Sequence, residues 1–265
     1  MLDIKKLKSI NPKLQKQVII DEISNTYIAF LEFAGNDVSS YSLNNTKTGI
    51  TANISSRTLT RWLQQEVVII DGIDKGKNKR FNRLENIWIK IAIELRKFGV
   101  PLEGLKYIRT QLFDYTVGEF SMFKFQVLHN ILLEKPKYLI ISDEHEVGFY
   151  TYKNYASNVE KGFLFSHINI RFIDFIKEEF PNNNIHIDFG ITNIIYDVEK
   201  VSLLFYLKTN DFQEMHITLS DEDTRLLYNS SELMKNDNLL SAIQKWEFDS
   251  IKIQINDETE FIIEN

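Results

Sequence analysis

Five apolar residues, Leu84, Ile87, Trp88, Ile91 and Leu95, recur at steps of three and four, and Gly99 and Pro101 lie just beyond them. Only a helical turn of 3.6 residues brings side chains at that spacing onto one stripe, so the segment is committed to an amphipathic helix buried along that stripe. Gly just past its end marks a stop, and Pro two residues later marks a restart. Leu102, Leu105 and Ile108 then carry a second, shorter helix.

The segment upstream has a different construction. Ser55 or Ser56 is a natural N-cap for a short helix beginning near Arg57. On a wheel of about 100° per residue, Leu59, Trp62 and Leu63 share one face and Arg57, Arg61 and Gln64 share the opposite one. The apolar face seats the helix on a small core, while two guanidiniums and an amide face outward. Arg pairs with guanine edges or phosphates and Gln with adenine, the division of labour a helix in a DNA major groove requires. Val67 to Ile70 reads as a β-branched strand, Asp71 to Asn78 as a glycine-containing turn, and Lys79-Arg80-Phe81 as the start of a return strand. Lys75, Lys77, Lys79 and Arg80 cluster on this hairpin, suited to a phosphate backbone. The candidate DNA-binding residues are therefore Arg57, Thr58, Arg61, Gln64, Lys75, Lys77, Lys79 and Arg80.

Three ordered stretches carry a family resemblance: Asn53-Ile54-Ser55-Ser56-Arg57-Thr58-Leu59-Thr60-Arg61-Trp62, Lys79-Arg80-Phe81, and Leu95-Arg96-Lys97-Phe98-Gly99-Val100-Pro101-Leu102. Together they resemble the DNA-binding domain of the MerR family, over residues 40–110 only. The resemblance implies a winged helix-turn-helix that binds double-stranded DNA as a homodimer and regulates transcription. Asn53 stands where the family has Gly and Thr60 where it has Arg, and no long heptad run follows Arg109.

Charge divides the chain in the same place. Residues 41–110 hold thirteen Lys and Arg against six Asp and Glu, whereas residues 111–265 hold thirteen against twenty-six. A basic module beside an acidic remainder fits a DNA-binding segment joined to a regulatory or assembly domain. The expected organisation is α+β: an N-terminal helical extension over 1–39, the MerR-like domain over 40–112, a connecting helix over 113–136, and an α+β dimerisation or effector domain over 137–265.

Within that plan, residues 1–34 are expected to form one or two helices before a break at Gly35-Asn36-Asp37, and a further break falls at Val117-Gly118. An apolar helix runs from Glu119 to Glu134. Tyr138–Ile141 and Val147–Tyr152 read as strands about the acidic turn Asp143 to Glu146. Ile168 to Ile176 reads as a helix ending before Pro181. Ile185–Ile195, Val201–Leu207 and His216–Leu219 read as strands, Ser231–Trp246 as helical, and Ile251–Ile255 with Glu260–Ile263 as strands about Asn256-Asp257-Glu258.

The absence of cysteine excludes disulfides, thiolate metal sites and thiol redox sensing. No run of eighteen apolar residues occurs, and Met1 to Lys6 lead into no signal-peptide core, so no membrane association and a cytoplasmic location are expected. The five histidines are scattered, and no phosphate-binding glycine loop, nucleophile elbow or metal-ligand spacing occurs. No catalytic residue, metal or cofactor is expected, and the chain is read as a DNA-binding protein rather than an enzyme. Small-molecule or protein effectors are left open. Two alternatives accompany the regulator: an architectural accessory factor of a mobile element, acting in excision, partition or replication, and a protein-interaction module with a degenerate winged helix.

Overall fold

The structure, a computed structural model, describes residues 28–35, 41–45, 47–70, 79–114, 116–117, 120–132, 137–162, 166–181, 197–219 and 223–265, with Ile20, Ser39, Leu164 and Ile187. The expected helices before Ile28, the turn carrying Lys75 and Lys77, Gly118 and nearly all of Ile185–Ile195 lie outside these residues. Helices and strands are mixed along the chain, an α+β protein. The chain divides into two compact units, residues 1–26 with 34–179 and residues 27–33 with 180–265. The helix α1, Ile28–Gly35, runs across the first division.

The first unit is organised on the helix that the spacing predicts. After strand β1 (Lys47–Thr48) and helix α2 (Ser56–Gln64), strand β2 (Phe81–Asn82) leads directly into helix α3, Arg83–Lys97. Asn82 caps α3 by accepting from the Glu85 N–H at 2.8 Å. Leu84, Ile87, Trp88, Ile91 and Leu95 are all buried, and burial of each such side chain contributes roughly 1.5–3 kcal/mol. Helix α3 ends at Phe98, with Gly99 at φ +86. There Val100 N donates to Leu95 O and Gly99 N to Arg96 O, which satisfies two terminal carbonyls. Pro101 precedes helix α4, Leu102–Arg109.

One expected strand is absent. Val67–Ile70 forms no ladder, because its backbone is used to end α2: Val67 N and Val68 N both donate to Trp62 O, and Glu66 turns left-handed at φ 57. The return strand finds a different partner. Phe81 and Asn82 pair antiparallel with Thr48 and Lys47.

Strands β3 (Thr116–Val117) and β4 (Phe120–Ser121) form a short hairpin before helix α5, Met122–Leu132. Phe120 therefore lies on a strand, and the connecting helix starts at Met122 rather than Glu119. Apolar residues circle α5 and it is buried on nearly every side, as that pattern implies. Strands β5 (Lys137–Ser142) and β6 (Val147–Thr151) form the expected hairpin about Asp143–Glu146. Helix α6, Tyr152–Glu160, comes directly after β6, capped by Thr151.

Ile168 and Ile170, expected on a helix, instead lie on β7 (His167–Arg171), which pairs antiparallel with the other edge of β5. The helix α7 is shorter, Phe172–Glu179. Its Glu179 carboxylate receives Lys90 at 3.0 Å and Arg83 at 3.3 Å, fixing α7 on α3. Gln111, in the π-helical segment Thr110–Asp114 that follows α4, bridges to the hairpin turn, donating to His145 O at 2.8 Å and accepting from Val147 N at 3.1 Å. These links lie within the first unit, which extends to Glu179.

In the second unit, Val201–Leu207 is helical and not a strand. It belongs to α8, Val198–Thr209, capped by Asp197 and closed by left-handed Asn210. Every residue from Val201 to Thr209 is buried, so no periodicity distinguishes helix from strand there. Strands β8 (Glu214–Thr218), β9 (Thr224–Leu227), β10 (Ser250–Gln254) and β11 (Glu260–Glu264) form one antiparallel sheet in the order β11-β10-β8-β9. The helical stretch between them is two helices, α9 (Ser230–Leu233) and α10 (Asp237–Lys245). Among the described residues, no helix is long and apolar enough to cross a membrane.

Candidate nucleic-acid interface

Helix α2 is amphipathic in the sense its sequence dictates. Leu59 and Trp62 are buried, while Arg57, Thr58, Arg61 and Gln64 are exposed. Its start is fixed by Ser55, whose Oγ accepts from Thr58 N at 3.1 Å. The same Oγ lies 2.8 Å from the Thr58 hydroxyl. Thr58 thus belongs to the cap as well as to the outer face. Its end is fixed by the left-handed turn at Glu66, and the buried Trp62 and Val67 sit at the two ends of one of the closing hydrogen bonds. Glu66 also pairs with Lys106 of α4, which holds its carboxyl below the usual range.

The basic residues preceding β2 approach the same helix. The Lys79 ammonium donates to Thr60 Oγ1 at 3.4 Å, and Arg80 is exposed. Lys75 and Lys77 lie outside the described residues. Of the eight candidates, six are described, and the structure puts Arg57, Thr58, Arg61 and Gln64 on one helix with Lys79 against it.

A broad concavity of about 1310 Å3 opens beside α2. Arg57, Arg61 and Gln65, from α2 and its end, line it together with Arg96, Pro101 and Glu103 from the α3–α4 corner. Arg96 is not among the candidates drawn from the sequence, since nothing in the local pattern tells that the corner after α3 lies beside α2. The available signal is its place off the buried stripe, next to the Gly99 stop.

A buried ion pair joins α3 to α4 in the same unit. Arg109 Nη2 is 2.6 Å from Glu85 Oε1, with both side chains nearly inaccessible. Asp114 lies 3.5 Å from the same guanidinium, and the Phe113 ring centroid 4.6 Å from it. Burial pushes the Glu85 carboxyl up to about 7 against the pull of Arg109.

Among the described residues, no group of three or more His, Asp or Glu is placed to hold a metal ion. The acidic turn Asp143–Glu146 is organised by its own hydrogen bonds, Glu146 N donating to Ser142 Oγ at 3.0 Å. Compared with protein-family models, with curated proteins and with solved structures, the chain matches none.

Proposed function

We propose that this chain is a sequence-specific double-stranded DNA-binding protein, a transcriptional regulator of the MerR-like type, acting as a homodimer. Helix α2 enters the major groove. Arg57, Arg61 and Gln64 meet base edges, and Thr58 stays at the cap beside the first phosphate or base it reaches. Lys79 and Arg80, with Lys75 and Lys77 of the preceding turn, follow the phosphate backbone.

One observation carries the reading: α2 buries Leu59 and Trp62 and leaves two guanidiniums and an amide exposed on its other side. A helix fastened at both ends and seated by a tryptophan is a rigid support, which bidentate recognition of bases requires. The pairing of β2 with β1 and the contact of Lys79 with Thr60 support a wing rooted beside this helix. The acidic C-terminal residues supply assembly or effector response, since like charge keeps them off the DNA.

The test is retention of pooled genomic DNA fragments by the intact protein at two salt concentrations, with the retained fragments sequenced. The expected result is salt-sensitive enrichment of a short inverted repeat, lost on combining Arg57→Ala with Arg61→Ala. No enrichment at either salt overturns the reading.

A further inference from the structure

We infer that the β11 edge of the C-terminal sheet is a docking site for a basic, extended segment of a partner protein, which adds to the sheet as a further strand. Every residue involved belongs to the second unit, so the inference stands apart from the DNA-binding proposal for α2.

Strand β11 ends the order β11-β10-β8-β9, and among the described residues no strand pairs with its far side. The hydrogen bonds flanking the β10–β11 ladder fix which backbone groups are left over. Ile255 N donates to Thr259 O at 2.9 Å, and Asn265 N to Asp249 O at 3.1 Å. An antiparallel ladder alternates from such pairs, so Ile253–Phe261 and Ile251–Ile263 exchange hydrogen bonds. Glu260, Ile262 and Glu264 therefore turn their N–H and C=O groups away from β10. The side chains of these three residues are exposed, on the face opposite buried Ile263. A strand laid along this edge meets free backbone groups and an acidic, apolar, acidic pattern at alternate positions.

That pattern selects the occupant. A second copy pairing antiparallel about Ile262 would set Glu260 opposite Glu264 twice, and like charges directly opposite are destabilising. A strand with Lys or Arg at those places and a β-branched residue between them complements each group. Negative charge is also in excess near the end of β11. Burial first, then Asp197 and Glu264, push the Glu199 carboxyl up, while Lys200 pulls it down. Glu260 is paired with Lys252, but both side chains are well exposed, and such a pair is weak enough to admit a second cation. The other edge of the sheet is guarded. Arg225 of β9 carries its charge on the side of buried Ile217, and Tyr228 N is taken by Glu232 Oε2 at 3.1 Å.

Glutamates on an edge strand can also serve only to repel other strands, and that role alone would leave a basic peptide unbound. The test is fluorescence anisotropy of the intact protein with the labelled peptide Thr-Lys-Thr-Val-Thr-Lys-Thr. Saturable, salt-sensitive binding is expected, with none for the counterpart carrying Glu in place of Lys. Methylating the backbone nitrogens of the Val and the second Lys removes two donors without altering the protein, and is expected to weaken binding about tenfold. Ile262→Pro deletes an outward N–H and spares the ladder to β10, so the variant is expected to fold and to bind severalfold more weakly. No saturable binding of the Lys peptide overturns the inference. Equal binding of the methylated peptide also overturns it, because charge would then act without strand pairing. A protein that is dimeric without peptide and is dissociated by Ile262→Pro would give the edge to a second copy, with the same consequence.

Discussion

The Trp88 indole N–H donates to the carbonyl of Val67 at 2.7 Å, inside the core where both residues are almost fully buried. This bond joins the middle of the longest described helix to the turn that closes α2. Trp88 therefore does two things, filling volume and holding the seat of the proposed DNA-reading helix. Trp88→Phe removes the donor and retains most of the ring, and is expected to cost about 1–3 kcal/mol by leaving a buried carbonyl short of its partner. Trp88→Ala adds the cavity, for a total of about 3–5 kcal/mol. Urea unfolding of the three proteins checks both values, and a Trp88→Phe protein as stable as wild type would show that the bond carries no weight.

The cap at Ser55 acts on α2 alone. Ser55→Ala is expected to destabilise the protein by about 1 kcal/mol, and Ser55→Asp to be close to neutral because a carboxylate also accepts from the Thr58 N–H. Amide hydrogen exchange should rise first in Ser56–Gln64. If all helices of the unit lose protection equally, the cap is not local.

The elements that can be read from sequence are those whose burial is one-sided and whose ends are chemically marked. Helix α3 has a five-residue stripe, an Asn cap and a Gly stop, and α2 has Leu59 and Trp62 opposite Arg57 and Arg61. The β5–β6 and β10–β11 hairpins alternate about polar turns. Elsewhere, burial on all sides removes the period, as in α8, or a turn takes over the backbone, as at Val67. Ile168 and Ile170 sit at a spacing that fits strand or helix, and only pairing with β5 decides it. The same limit applies to the candidate site. The exposed face of α2 follows from its own residues, whereas the place of Arg96 in the same concavity depends on how the α3–α4 corner sits beside α2, which is a tertiary fact.

Glu179 is the point at which α7 is held against α3. Its side chain is about 1% exposed and receives Lys90, Arg83 and the Thr51 hydroxyl. Glu179→Ala leaves a nearly buried ammonium facing a cavity, and breaking a buried pair from one side costs about 3–5 kcal/mol. Because Arg83 is partly solvated and Glu178 lies 3.9 Å from Lys90, the expected loss is near the lower end, about 3 kcal/mol. Glu179→Gln, which fills the same space and keeps one acceptor oxygen but loses the charge, should fall between. Thermal unfolding of the two variants gives the order, and a Glu179→Gln protein as stable as wild type would mean that charge plays no part.

Glu85 gives the protein a pH dependence of determinate sign. Burial, the largest influence, and the nearby Asp114 push its carboxyl up, while Arg109 and the Ile69 backbone pull it down. Desolvation wins and raises the carboxyl to about 7, against 4.5 for the free side chain. Between those values the folded chain holds a proton that the unfolded chain has released. Stability therefore falls as pH rises from about 4.5 through about 7, and the contribution of protonated Glu85 is fully present only below that window. Glu85→Gln mimics the protonated form at every pH and retains an acceptor for Arg109. Other groups titrate alike in both proteins, so the difference between their unfolding free energies isolates Glu85. That difference is expected to move in favour of the variant as pH is raised from about 5 to about 8. A difference that stays constant, or moves toward the wild type, would place the Glu85 titration below the window and make the pair with Arg109 an ordinary ionised one.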